Sequence, residues 1–169
     1  NIVKQGEVVP VKKLAFVIAV IVVLILLVIT IIIVLPGSSE SSFDDYIGEI
    51  RCIYDISSIS STIPILSENF TKNTKFDIYV NGTKIKYSKE YKFNNFGLIE
   101  VKFYLIENIK MDKMFKDINT LQVVELSSTK KAKILSMESA FENSDSLTDI
   151  SINGFDTSEL TSLKGVLNN

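Results

Sequence analysis

The chain has 169 residues, 18 Lys and Arg against 20 Asp and Glu, one Cys and no His. Without histidine the commonest general base and metal ligand is missing, and a lone cysteine supplies neither an intrachain disulfide nor a zinc set. A net charge of −2 gives no basic surface for nucleic acid.

In chain order, residues 1–13 form a short polar segment carrying Lys4, Lys12 and Lys13. Residues 14–35 then run LAFVIAVIVVLILLVITIIIVL from Leu14 to Leu35, with Thr30 the only polar side chain. A helix of that length rises roughly 33 Å, enough for a hydrocarbon core of roughly 30 Å. The run predicts one transmembrane α-helix with the lipid bilayer as its partner. Basic residues precede it, and none follows until Arg51. By the positive-inside rule, residues 1–13 are then cytoplasmic and everything after the span extracellular, a single-pass plasma-membrane protein. The span has no ionisable residue, which argues against a sensor, channel or pump. Residues 36–46 are Gly-, Ser- and acid-rich and read as a flexible linker.

Residues 47–108 carry strand signals and predict a small antiparallel β cap module. Positions 47–56 alternate, with Cys52 on the apolar side and expected to be buried. Asn81-Gly82 joins two alternating runs, and that dipeptide suits a type I′ hairpin because both residues take positive φ easily. Farther on, Ile99, Val101, Phe103 and Leu105 share one strand face and Glu100 and Lys102 the other. Asn69-Phe-Thr71 and Asn81-Gly-Thr83 match the N-glycan acceptor pattern, which makes Asn69 and Asn81 candidate glycosylation sites.

Residues 109–169 repeat. Met111-Asp-Lys-Met114-Phe115 returns as Met137-Glu-Ser-Ala140-Phe141 and as Leu163-Lys-Gly-Val166-Leu167, at steps of 26 residues. Leu121-Gln-Val-Val124-Glu-Leu126-Ser127 returns at the same spacing as Leu147-Thr-Asp-Ile150-Ser-Ile152-Asn153. The second pattern is the strand signature of leucine-rich repeats. The first places apolar residues at i, i+3 and i+4, which predicts a helical turn facing the strand. One such unit cannot bury its apolar edge alone, so stacking into an α/β solenoid is expected.

These motifs, with Asn153-Gly-Phe155-Asp-Thr157-Ser158, resemble the BspA-type leucine-rich-repeat surface proteins. The segment 97–103 is similar to the β segment that often precedes their first repeat. The likeness covers roughly residues 50–169, with one departure: Thr129-Lys-Lys-Ala132 stands where an earlier F-D-T-S turn belongs. The resemblance implies surface display and adhesion.

No catalytic arrangement, phosphate loop or dinucleotide fingerprint is present, and no metal or cofactor is expected. The sequence therefore predicts a non-enzyme, a cell-surface recognition protein that binds a protein or glycan ligand. The candidate contact residues are the outward-facing strand positions Gln122, Glu125, Ser127, Thr148, Asp149, Ser151 and Asn153. The alternative is a structural coat or filament subunit that self-assembles by stacking repeats between chains.

Overall fold

The computed structural model describes residues 43–58 and 62–167. A 3-10 turn, η1 (Phe43–Asp45), is followed by ten strands. These are β1 (Gly48–Ile56), β2 (Ile63–Pro64), β3 (Phe76–Val80), β4 (Thr83–Ile85) and β5 (Glu90–Tyr91), then β6 (Gly97–Leu105), β7 (Ile109–Lys110), β8 (Leu121–Ser127), β9 (Ile134–Ser136) and β10 (Asp149–Asn153). Six of them form one sheet in the order β10-β8-β1-β6-β3-β4. All its pairings are antiparallel except β10 with β8, which is parallel. The sheet runs without a break across position 108, from the hairpin strands into the repeats.

Alternation produces a two-faced sheet. Ile50, Cys52, Tyr54 and Ile56 of β1 point the same way as Ile99, Val101, Phe103 and Leu105 of β6, and all are buried. Each fully buried large apolar side chain contributes roughly 1.5–3 kcal/mol over its exposed state. Tyr54 joins this layer because its hydroxyl donates to the Ile65 carbonyl at 2.6 Å. Cys52 is a free, buried thiol whose pKa burial raises strongly. Asn81 (φ 46°) and Gly82 (φ 77°) turn the β3–β4 hairpin through two positive-φ positions.

The 26-residue period is written into the hydrogen bonding. The N–H groups of Met111, Lys113, Phe115 and Asp117 donate to the carbonyls of Ser136, Glu138, Ala140 and Glu142 at 2.8–2.9 Å. Those of Met137, Ser139 and Phe141 donate in the same way to Ser162, Lys164 and Val166 at 2.9–3.1 Å. Equivalent rings lie over one another: Phe115 and Phe141 stack at 5.7 Å with 5° between their planes. Side chains continue the ladder, with Asn143 donating to Asp117 at 2.8 Å and the Glu138 N–H to Asp112 at 3.0 Å.

Two expectations are corrected. The M-x-x-M-F segments are not helical turns, and no α-helix occurs among the described residues. In each unit the third motif residue is left-handed: Lys113 at φ 58°, Ser139 at 52° and Gly165 at 63°. Each segment is therefore a tight turn closed from residue i+3 to i (Met114 N–H to Met111 O, 2.9 Å), after which N–H groups point to the next unit instead of up their own helix. The predicted α/β solenoid gives way to a mostly-β fold.

The second correction concerns the membrane. Among the described residues no helix is long and apolar enough to cross one. Their apolar side chains sit at alternate strand positions, which buries them against one another. The single-pass transmembrane helix, and the plasma-membrane localisation built on it, are therefore not supported. Residues 14–35, from which both were read, and the bilayer contact assigned to them lie outside the described residues.

Candidate binding face

The second face of the sheet carries the polar half of each alternation, and strand register sets its side chains in rows. One row runs Asn153, Ser127, Glu49, Tyr104, Asp77 across five strands. The next runs Ser151, Glu125, Arg51, Lys102, Tyr79, Lys84 across all six. A third places Asp149, Val123, Ile53 and Glu100 side by side.

The cations of the second row pair with carboxylates of all three rows and tie the strands together. Arg51 Nε bonds Glu100 at 2.6 Å while its NH1 bonds Glu125 at 2.8 Å. The Glu100 hydrogen bond, then that of Glu125, holds the guanidinium pKa above its ordinary value. Lys102 bonds Glu49 at 3.2 Å, and Lys84 bonds Asp77 at 2.8 Å. Burial pulls the Lys102 pKa down, but Glu49 outweighs it and the net shift is upward. Each pair is partly solvated, so its worth to stability is at most about 1 kcal/mol. The effect on order is larger, because long side chains that share a partner lose their freedom to rotate.

At one corner the face becomes aromatic. Tyr46 stacks on Tyr104 at 4.9 Å, Tyr79 meets Tyr104 edge-on at 5.1 Å, and Phe43 meets it edge-on at 5.5 Å. The Tyr46 hydroxyl donates to Asp77 at 2.7 Å, which fixes the residues after η1 over β3 and β6. Burial, then the nearby Glu49 carboxylate, raises the Tyr104 pKa. Beside the rings lies a shallow cleft of about 180 Å³, lined among others by Phe43, Tyr46, Glu49, Tyr104, Ser127 and Thr129.

Of the seven candidate contact residues, the structure gathers five on this face: Glu125, Ser127, Asp149, Ser151 and Asn153. All but Glu125, which is held by Arg51, are exposed. Gln122 falls outside the rows. It is the extra residue where β8 slips register against β1, between the partners of Ile53 and Tyr54. Thr148 precedes β10, and its hydroxyl is engaged with the Gln122 carbonyl at 2.9 Å. Asn69 and Asn81 are both exposed and in turns, and the Asn81 N–H donates to the carbonyl of Glu100, at the end of the third row, at 3.0 Å.

Sequence reasoning passed over the aromatic corner and Arg51. The available signal was tyrosine at the polar positions of two strands, Tyr79 and Tyr104. Linking them to Phe43 and Tyr46 requires the pairing of β1, β6 and β3, which no local pattern states. Among the described residues no group of three or more His, Cys, Asp or Glu is placed to hold a metal ion. Comparison with known proteins returns no matching family model, curated protein or solved structure.

Proposed function

We propose that this protein is a non-catalytic recognition module that binds a protein or glycan ligand on the open face of its six-stranded sheet. The observation that carries the reading is the continuity of that face. Exposed Ser127, Asp149, Ser151 and Asn153 lie in the same register rows as an ion-pair lattice and an aromatic corner, all on hydrogen-bonded strands. Sites built on strands present side chains at fixed spacing, so little order must be acquired on binding. The lack of histidine and the likeness of the repeat to surface-protein repeats support the same reading.

The test compares the wild-type chain with the triple variant Asp149→Lys, Ser151→Lys, Asn153→Lys on one immobilised panel of oligosaccharides and peptides. Wild type is expected to retain members of one ligand class and the variant to lose them with an unchanged circular-dichroism spectrum. Equal retention by both proteins, or retention of nothing, would overturn the reading.

A second reading, a structural subunit that self-associates, is favoured by one observation. Ile152, Leu163 and Leu167 are 44%, 57% and 61% exposed along the β10 side of the stack. Sedimentation velocity separates the two: a mass that rises with concentration and falls in Ile152→Lys supports the subunit, and a constant monomer mass removes it.

A further inference from the structure

We propose that Asn81 is a site of spontaneous modification, where the backbone nitrogen of Gly82 displaces the side-chain amide, and that the fold protects the same dipeptide at Asn153-Gly154. The proposal is independent of the recognition reading. Glycine follows asparagine at these two places in the chain. Lacking a Cβ, glycine lets its backbone nitrogen come close to the preceding side chain. That nitrogen attacks Cγ: an N–Cγ bond forms, the Cγ–Nδ2 bond breaks, and Nδ2 leaves as ammonia with the proton the nitrogen gives up. A five-membered imide results. Water then opens it, to aspartate when the bond to Cγ breaks and to isoaspartate when the bond to the backbone carbonyl carbon breaks. Water is the only co-reactant, and no electron is transferred.

What separates the two sites is the freedom of the peptide unit that must turn. Closing the imide ring brings the asparagine ψ to about −120°, the value held by the first central residue of a type II′ turn. Asn81 and Gly82 stand at φ 46° and 77°, the signs of a type I′ turn. The two turn types share the positive φ of the first central residue and differ by a flip of the peptide unit that follows it. At the hairpin tip that unit is free to flip. Among the described residues neither the Asn81 carbonyl nor the Gly82 N–H makes a backbone hydrogen bond. The turn is held by its outer groups instead: Val80 pairs with Thr83, and the Asn81 N–H donates to Glu100 at 3.0 Å. Asn81 is exposed, and a Cβ built on Gly82 would meet nothing within 4 Å.

The Asn153-Gly154 unit is pinned. Asn153 ends β10, where a parallel strand keeps ψ at about +115°. Its carbonyl accepts from the Ser128 N–H at 3.0 Å, and a Cβ built on Gly154 would lie 2.1 Å from the Ser128 carbonyl oxygen. Ring closure there breaks that bond and drives Gly154 against backbone. At Asn81 either product places a new carboxylate on the hairpin tip. Isoaspartate also lengthens by one backbone bond the turn that joins Val80 to Thr83.

The test incubates the native 169-residue chain, and the same chain unfolded in guanidinium chloride, at neutral pH and follows both asparagines by tryptic peptide mass. The peptide Phe76–Lys84 carries Asn81 as its one asparagine, and fragment masses separate Asn153 from Asn143 in the peptide Ile134–Lys164. In the native chain Asn81 is expected to gain the mass of an amide-to-acid exchange at least about fivefold faster than Asn153, the factor one retained hydrogen bond contributes. In the unfolded chain the two rates should converge, because the dipeptides are the same. Equal native rates, or a faster Asn153, would overturn the argument from the peptide unit. A ratio that persists on unfolding would assign the difference to sequence neighbours and overturn the role of the fold. An Asn81 that stays intact in the native chain would overturn the site itself.

Discussion

At the scale of single residues, the fold is set by positions where the backbone needs a conformation most side chains resist. Gly154 has φ 74°, and a Cβ built on it would lie 2.1 Å from the Ser128 carbonyl oxygen. The contact has a purpose, since Ser128 N–H donates to the Asn153 carbonyl at 3.0 Å and draws the two chain segments together. Gly154→Ala must move backbone or break that bond, and it is expected to cost about 2–3 kcal/mol. Thermal denaturation followed by circular dichroism checks this, and an unchanged melting temperature would show that the approach is less close than described. The Phe-Asp-Thr-Ser turn has a similar local logic: the Ser158 N–H donates to the Asp156 carboxylate at 2.9 Å. Ser158, with Lys133 and Lys131 adding less, holds the Asp156 carboxyl below its ordinary pKa. A lowered carboxyl pKa contributes stability above the unfolded value of about 4 and loses it as pH falls through the folded one. The turn should therefore loosen in acid, and a carbon-detected NMR titration of Asp156 measures its midpoint directly.

At the scale of elements, much was legible and one thing was not. The alternation put Ile50 and Cys52 on the apolar side of β1 and Ile99, Val101, Phe103 and Leu105 on one face of β6; that the two faces form one layer follows from the pairing of the strands. The Asn81-Gly82 turn was equally plain. The M-x-x-M-F segments were misread because i, i+3, i+4 spacing fits a tight turn followed by an extended residue as well as it fits a helix. Apolar spacing does not report the sign of φ. The informative residue was Gly165, which stands where Lys113 and Ser139 accept the left-handed conformation at a cost. Whichever backbone carries them, the motif residues are core: Met111, Met114, Phe115, Met137, Ala140 and Phe141 are all buried. Phe141→Asp removes a stacked ring and leaves a charge in its place, a loss of about 5 kcal/mol or more that rivals the whole stability of a domain this size. The variant should be unfolded at 25 °C by circular dichroism, whereas Phe141→Leu should fold and melt a few degrees lower.

At the scale of the whole molecule, the described residues combine two kinds of order in one sheet. β8 pairs antiparallel with β1 on one side and parallel with β10 on the other. Its first neighbour comes from a part of the chain joined by hairpins and loops, and its second from the 26-residue repetition. The candidate face inherits both parts. β1, β3 and β6 supply the charges and rings, and β8 and β10 supply the exposed polar rows. A sequence reading limited to the repeat sees half of that surface. It found Ser127, Asp149, Ser151 and Asn153, but not Arg51, whose partners Glu100 and Glu125 lie 49 and 74 positions away, nor Tyr104, whose ring partners Phe43, Tyr46 and Tyr79 come from other elements.

The hydrogen-bond ladder between successive turns also makes the molecule indifferent to some lengths and intolerant of others. The N–H groups of Met111, Lys113, Phe115 and Asp117 all reach the next unit at one constant offset, as do those of Met137, Ser139 and Phe141. Excision of residues 128–153, one whole period, joins Ser127 to Gly154 and puts Phe155 and Leu163 where Thr129 and Met137 stood. Excision of 25 or 27 residues instead turns every later side chain to the opposite face. Change by whole periods is thus the one kind of lengthening or shortening this stretch can absorb; it occurs beyond β8 and leaves β1 and β6 in place, although Ser128 and Lys130, which donate to the carbonyls of Ile47 and Asp44, fall within the excised period and would have to be replaced by their counterparts.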